Sequence, residues 1–187
     1  MTLTTKNIEE LIALCQSGNQ QAQLEIYNRY YKAMYNTAFR IVKNAYEAED
    51  IMQESFLSAF TKLDTLLEAA TFGAWLKRIV VNKSIYLYHK NDKHQNVPVD
   101  AVLYKLEDES SSISSEETES TNKVKVIIQA INSLKDNYRI ALTLHLIEGY
   151  DYEEIGIITN VTYTNCRTTI SRAKEKLRQA LEPILNY

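Results

Sequence analysis

Residues 151–181 read DYEEIGIITNVTYTNCRTTISRAKEKLRQAL, and this stretch decides the fold. Asp151 can cap a helix, and Glu154 three residues later completes a capping-box pattern. Tyr152, Ile155 and Ile158 fall on one side of the helix that follows. Gly156 sits inside that helix, where glycine costs about 1 kcal/mol relative to alanine, so it predicts the close approach of another helix. Four residues on, Asn160 tolerates the left-handed conformation that ends a helix. Val161 follows, and Thr162 can cap a second helix. A small residue, a turn residue four later, an apolar residue and a cap form the layout of a helix-turn-helix.

The second helix divides into two faces. Cys166, Ile170, Ala173 and Leu177 recur with helical spacing and form the stripe expected to be buried. The opposite face carries Thr164, Arg167, Thr168, Ser171, Glu175 and Arg178, flanked by Arg172 and Lys174. Arg167 to Arg178 holds five bases and one acid, a local +4 in a chain whose net charge is −3. Arginine can pair with guanine, hydroxyls reach phosphates or bases, and a helix fits the major groove. The residues expected to read duplex DNA are therefore Thr164, Arg167, Thr168, Ser171 and Arg172. A solvated basic face on an ordinary terminal helix is the plainer reading, which the turn chemistry argues against.

Working outward, the chain has 187 residues, enough for one medium domain or two small ones. Only four Gly and two Pro occur, too few turn formers for a sandwich or barrel. Helical spacing predicts helices ending near Gly18, over Gln20–Val42, Tyr46–Leu63 and Phe72–Tyr88, with Leu24, Tyr27, Tyr31, Met34, Ala38 and Ile41 on the inner stripe of the second. Four more are expected near Lys123–Ser133, Asn137–Ile147, Tyr152–Ile158 and Thr162–Leu181. Between them, Lys105–Ser120 holds six acids and one base, a balance of −5. Such a segment cannot bury enough apolar area to offset its ordering entropy, and its charge extends it. Val97, Val99, Val102, Leu103 and Leu106 nearby are the residues able to dock locally. The predicted fold class is all-α: two small helical domains, 1–90 and 123–187, joined by a flexible acidic linker over 91–122, the C-terminal domain containing the helix-turn-helix.

The third helix, YEAEDIMQESFLSAFTKL, sets Met52, Ser55, Phe56, Ala59 and Leu63 toward a core. Asp50, Gln53, Glu54 and Leu57 occupy the opposite face; a leucine among acids and an amide suits a protein-docking surface, and a lone exposed leucine on an ordinary helix is the plainer reading. In the fourth helix Phe72, Trp75, Leu76, Ile79 and Val80 read as packing residues. Lys77, Arg78 and Lys83 bring positive charge, followed by Lys90 and Lys93. Cations interleaved with aromatics suit single-stranded or distorted DNA. His89, His94 and His145 form no catalytic or metal spacing, and no glycine-rich phosphate loop occurs. No catalytic residue, metal, cofactor or small-molecule substrate is expected. Cys15 and Cys166 read as reduced thiols. The start MTLTTKNIEELIALC lacks a basic, greasy leader, and no apolar run approaches the ~20 residues that span a bilayer, so a cytoplasmic location is expected.

Together these residues resemble the extracytoplasmic-function (ECF) sigma factors of the sigma-70 family. LEIYNRYYKAMYNTAFRIVKNAYEAEDIMQESFLSAF (24–60) is similar to regions 2.1–2.2, TFGAWLKRIVVNKSIYLY (71–88) to regions 2.3–2.4, and 131–181 to region 4. The resemblance implies a bacterial initiation factor that binds core RNA polymerase and directs it to −35 and −10 promoter elements. It implies that Asp50, Gln53, Glu54 and Leu57 dock on the β′ clamp helices and that region 4 packs on the β flap. It also implies that the loop Asp64–Thr71 and Lys77, Arg78 and Lys83 meet unstacked −10 bases, and that the helix-turn-helix reads the −35 duplex. Promoter DNA and an anti-sigma factor are the further partners it implies. Asn160, where glycine is common, Thr169 and Ser171, where basic or His residues are frequent, and LLEAAT (66–71), which lacks the charged and polar residues often found there, depart from the family pattern, so promoter preference does not transfer. The runner-up is a stand-alone helix-turn-helix regulator that dimerises through its N-terminal helices, followed by a helical adaptor that binds only proteins.

Overall fold

A computed structural model describes residues 3–92 and 119–185. The expected linker, with Lys93, His94 and its five apolar residues, lies outside the described residues except at its two ends. The chain divides into two units, Met1–Val97 and Pro98–Tyr187. Every regular element among the described residues is helical.

The first unit contains α1 (Ile8–Gln16), α2 (Gln20–Val42), α3 (Ala45–Thr61) and α4 (Phe72–Asp92). Asparagine starts three of the four. The Asn7 side chain accepts from the Glu10 N–H at 2.8 Å, Asn19 from Ala22 at 3.0 Å, and Asn44 from Tyr46 at 3.0 Å. Each occupies a donor that the first helical turn would otherwise leave open. Lys43 in the left-handed region (φ 59°) ends α2 one residue before Asn44 starts α3, so the two helices are joined by a tight turn. α2 is the central element and packs on α1, α3 and α4.

Its inner stripe runs through Ala22, Ile26, Met34, Ala38 and Ile41. Leu24 is not part of it and is 59% exposed. Two residues are 200° apart on a helix, so where Ala22 and Ile26 face α1, Leu24 must face away. Phe72, Leu76 and Val80 enter the same core from α4, and Met52, Ser55, Phe56 and Ala59 from α3, as does Leu63 just beyond it. The buried Ser55 and Ser84 hydroxyls donate to the carbonyls of Ile51 and Val80, at 2.6 and 2.8 Å, so neither is an orphan. Aromatic edges fill the remainder: Tyr27 meets Phe56 at 4.9 Å, and Tyr30 meets Phe72 edge-on at 5.5 Å. Arg29 holds the N-terminal turn against α2, donating to the carbonyls of Lys6, Leu3 and Thr4 at 2.9, 3.1 and 3.0 Å. α4 continues to Asp92, four residues past the expected end at Tyr88, and the Asn91 amide donates to Glu47 Oε1 at 2.8 Å on α3.

The second unit contains α5 (Glu119–Asn132), α6 (Asp136–Leu142), α7 (Tyr152–Thr159) and α8 (Tyr163–Leu185). The single helix expected over Asn137–Ile147 is α-helical only to Leu142. A π-helical turn, Thr143–Ile147, completes it, with the Glu148 N–H reaching the Thr143 carbonyl at 3.0 Å. Arg139 to Leu144 are all buried, so six consecutive residues are enclosed, a situation that a one-sided apolar stripe does not describe. Arg139, only 2% exposed, donates to Asp136 Oδ1 from Nε (3.1 Å) and Nη2 (2.9 Å). Cys166, Ile170, Ala173 and Leu177 are buried along α8, as their spacing predicts. Both cysteines are buried free thiols, and burial pushes Cys15 up to about 11.

The sole tryptophan, Trp75, lies 6.0 Å from the buried Phe72 ring, so its emission reports on the first core. Phe72→Ala is expected to cost ~3–5 kcal/mol, read as a lower urea midpoint of Trp75 fluorescence.

Candidate nucleic-acid interface and the acidic docking face

The turn between α7 and α8 is built as its residue types require. The Glu154 N–H donates to Asp151 Oδ1 at 2.8 Å while the Asp151 N–H donates to Glu154 Oε2 at 3.1 Å, a complete capping box. Asn160 adopts φ 55°, ψ 44°, the left-handed conformation. The Thr162 hydroxyl oxygen accepts from the Asn165 N–H at 3.3 Å and caps α8. Gly156 is crowded first by the turn and only then by the next helix: an added Cβ would stand 3.0 Å from the Val161 carbonyl oxygen and 3.9 Å from the nitrogen of Tyr163, which opens α8. The Val161 N–H is bonded back to the Gly156 carbonyl at 2.9 Å, so the turn is stapled to the glycine that makes room for it.

With this turn fixed, α8 presents Thr164, Arg167, Thr168, Ser171 and Arg172 to solvent. The five line a single shallow concavity along the helix. The Thr168 hydroxyl donates to the Thr164 carbonyl at 2.9 Å, which leaves its oxygen lone pairs facing out. Among the described residues Arg167 and Arg172 have no ion-pair partner, whereas Arg178 pairs with Glu175 and Lys176 donates to Gln179 at 3.1 Å.

Lys174 departs from its expected flanking place on this face. Its ammonium stands 3.0 Å from His145 Nε2 on the π turn and 6.0 Å from the centre of the Tyr152 ring. An ammonium can only donate, so Nε2 accepts; the ring proton then sits on Nδ1, which faces the Tyr150 carbonyl at 3.1 Å. The His145 ring lies 4.9 Å from Tyr152, so the π turn, α7 and α8 meet at one histidine. Sequence spacing could not pair Lys174 with a residue 29 positions away. Beneath the same corner, burial pushes the Cys166 thiol up and the nearby Asp151 carboxylate adds to the shift.

On the first unit, Asp50, Gln53, Glu54 and Leu57 share an exposed face of α3, and Leu57 is 68% exposed. The Gln53 amide donates to Glu49 at 3.2 Å. Lys77, Arg78 and Lys83 on α4 are half-buried, and Lys77 and Arg78 are each engaged in interactions with other residues of the chain. Lys83 Nζ lies 3.2 Å from Glu54 Oε2, so a residue of the expected DNA set and one of the expected docking set form an ion pair. Among the exposed aromatic and apolar side chains, Tyr86 escaped the sequence reading, whereas Leu67 lies in the loop Asp64–Thr71 expected to meet −10 bases. Tyr86 points outward three residues beyond Lys83, a position that periodicity along α4 could have flagged. Leu67, 98% exposed between two short 3₁₀ turns, belongs to no helical period that could phase it.

Residues 26–94 match the family model described as Sigma-70 region 2, and residues 125–177 match Sigma-70, region 4. The chain is 28% identical to the RNA polymerase sigma-H factor of Pseudomonas aeruginosa, with 98% of each chain aligned. It is 28% identical to the ECF RNA polymerase sigma factor SigW of Bacillus subtilis, over 95% of this chain and 98% of the relative. Among solved structures it is similar to RpoE of Bartonella quintana, crystallised with the anti-sigma factor NepR (TM-score 0.57, 20% identity, 87% and 97% of the two chains). CnrH in complex with the cytosolic domain of CnrY gives a TM-score of 0.54 at 21% identity, covering 94% and 97%. Both structures share the fold.

Two substitutions test the turn. Asp151→Ala is expected to lower the thermal stability of the second unit by ~1 kcal/mol through the lost cap. Gly156→Ala gains helix propensity yet is expected to lose on the order of 1–3 kcal/mol net, because the added methyl crowds the Val161 carbonyl while the Val161 N–H staple holds the turn close. Circular-dichroism melts of each variant measure both.

Proposed function

The chain belongs to the sigma-70 family of RNA polymerase sigma factors, in the extracytoplasmic-function group, and on that premise we propose how its residues divide the work of promoter-directed initiation. Residues 1–90 act as region 2, 91–122 as the linker and 123–187 as region 4. The observation that carries the reading is the α8 face: five polar side chains in one open concavity, set by a capped and stapled helix-turn-helix. Arg167 and Arg172, uncommitted within the described residues, supply the forks that meet guanine edges or phosphates of the −35 duplex. Asp50, Gln53, Glu54 and Leu57 dock on the β′ clamp helices, with Leu57 as the apolar anchor. Lys77, Arg78 and Lys83, with the Asp64–Thr71 loop, meet the −10 element after its bases unstack, and region 4 packs on the β flap.

Each unit alone is a weak reader. The net charge is −3, and few cations on either unit are free of local partners. Holding both units on one polymerase makes their DNA contacts intramolecular and raises avidity without adding a contact. The work is binding rather than catalysis, so the protein acts as an initiation factor and not as an enzyme. The proposed role at RNA polymerase puts its action in the cytoplasm, and no helix among the described residues is long and apolar enough to cross a membrane. The complexes of RpoE with NepR and of CnrH with CnrY support an anti-sigma factor as a further partner.

Two measurements test this reading. Leu57→Ala, at an exposed position, is expected to melt within ~0.5 kcal/mol of the parent and to lose core-polymerase association by ~2 kcal/mol, measured by titration. Retained association would remove the α3 face from the interface. Arg167→Ala is expected to cost ~1–3 kcal/mol of discrimination between promoter and scrambled duplex by the holoenzyme. A stand-alone regulator, by contrast, would bind its site tightly without core polymerase and fail to copurify with it.

A further inference from the structure

The ion pair between α3 and α4 joins two surfaces that the proposed function assigns to different partners. Glu54 stands on the exposed α3 face with Asp50 and Leu57, and its carboxylate reaches across to Lys83 at 3.2 Å. Among the described residues Glu54 is the only ionic partner of Lys83, and Lys83 the only one of Glu54. We propose that this pair restrains DNA binding in the free protein: Glu54 neutralises Lys83 until a cationic partner surface takes Glu54, which hands Lys83 to a DNA phosphate. The inference rests on the proposed function and adds a coupling between its two events.

Geometry and screening set the direction. A phosphate oxygen in charge-assisted contact with Lys83 Nζ, at ~2.8 Å, lies no more than about 6 Å from Glu54 Oε2. That is inside the screening length of ~8 Å at physiological salt, so the carboxylate repels the phosphate as well as holding the ammonium. A basic residue docked on Glu54 from outside removes both effects at once. Glu54 is well exposed and free to be approached, whereas Lys83 is half-buried along its stem, so the partner captures the acid and leaves the lysine in place. The acid-rich composition of the α3 face, with Glu49 and Asp50 beside Glu54, fits a basic partner. Association with polymerase and competence for DNA are then linked through one side-chain exchange, and reciprocally so.

The test uses the full chain, with and without saturating core polymerase, and a fluorescent single-stranded oligonucleotide carrying a −10-type sequence, titrated over a range of salt. In the free protein, Glu54→Gln is expected to bind about two- to fivefold tighter than the parent, as release of one exposed ion pair allows. Its salt slope should steepen by about 0.7, the signature of one added phosphate contact on a single strand. Lys83→Gln should abolish that gain, so that Glu54→Gln/Lys83→Gln matches Lys83→Gln alone. On saturating polymerase the advantage of Glu54→Gln over the parent should shrink from its value in the free protein, while Lys83→Gln stays weaker than both. An unchanged salt slope in Glu54→Gln overturns the proposal, as does a gain that survives Lys83→Gln and so reports net charge alone. Either result leaves the proposed function standing if the parent protein still confers DNA binding on core polymerase; that function fails separately if it confers none.

Discussion

At position 156 a side chain would begin 3.0 Å from the carbonyl oxygen of Val161, so the backbone of the turn and the helix before it can coexist only over a hydrogen atom. Much of the second unit follows from that contact. The turn closes tightly because the Val161 N–H returns to the Gly156 carbonyl, and it reverses because Asn160 accepts a left-handed backbone. Once the turn is closed, the phase of α8 is set. Cys166, Ile170, Ala173 and Leu177 point inward, and the hydroxyl- and arginine-bearing positions cannot do otherwise than point out. A larger residue at 156 would act at a distance, through the angle at which the exposed face is held.

The first unit solves a different problem with simpler means. Three asparagines open three of its helices, and the tight turn between α2 and α3 leaves those two helices little choice of arrangement. Its core is aromatic and aliphatic, with its buried serine hydroxyls satisfied within their own helices. The outer faces of α3 and α4 are tied together by contacts that include the Glu54–Lys83 ion pair and the Asn91–Glu47 hydrogen bond. Exposed contacts of this kind are individually weak and can exchange partners.

Most of this architecture could be read from residue order. Capping pairs such as Asp151 with Glu154, and stripes such as Met52, Ser55, Phe56 and Ala59, are local signals carried by spacing alone, and the structure honours them. Most of the failures are cases where a distant neighbour decides. Leu24 reads as core because its spacing to Tyr27 and Tyr31 is helical, yet α1 covers the stripe of Ala22 and Ile26 instead. Lys174 counts as one more positive charge on the reading face until His145, 29 residues earlier, claims it. The π turn after Leu142 leaves no trace in a one-sided periodicity, because the residues that lead into it, Arg139 to Leu144, are all buried. Of the candidate sites, the five α8 residues were legible as a face, whereas the pairing of Glu54 with Lys83 required the packing of α3 on α4.

The two faces of α8 share no residue. Its buried positions hold the unit together, and the five that line its outer concavity contribute little to any core. Exchanges at such exposed positions ordinarily move stability by no more than about 0.5 kcal/mol in either direction. On the proposed role of this face, a descendant lineage can therefore rewrite which sequence it prefers, one codon at a time, without approaching the threshold at which the domain stops folding. Divergence in what is recognised and persistence of the scaffold that recognises it are, in this helix, independently inherited.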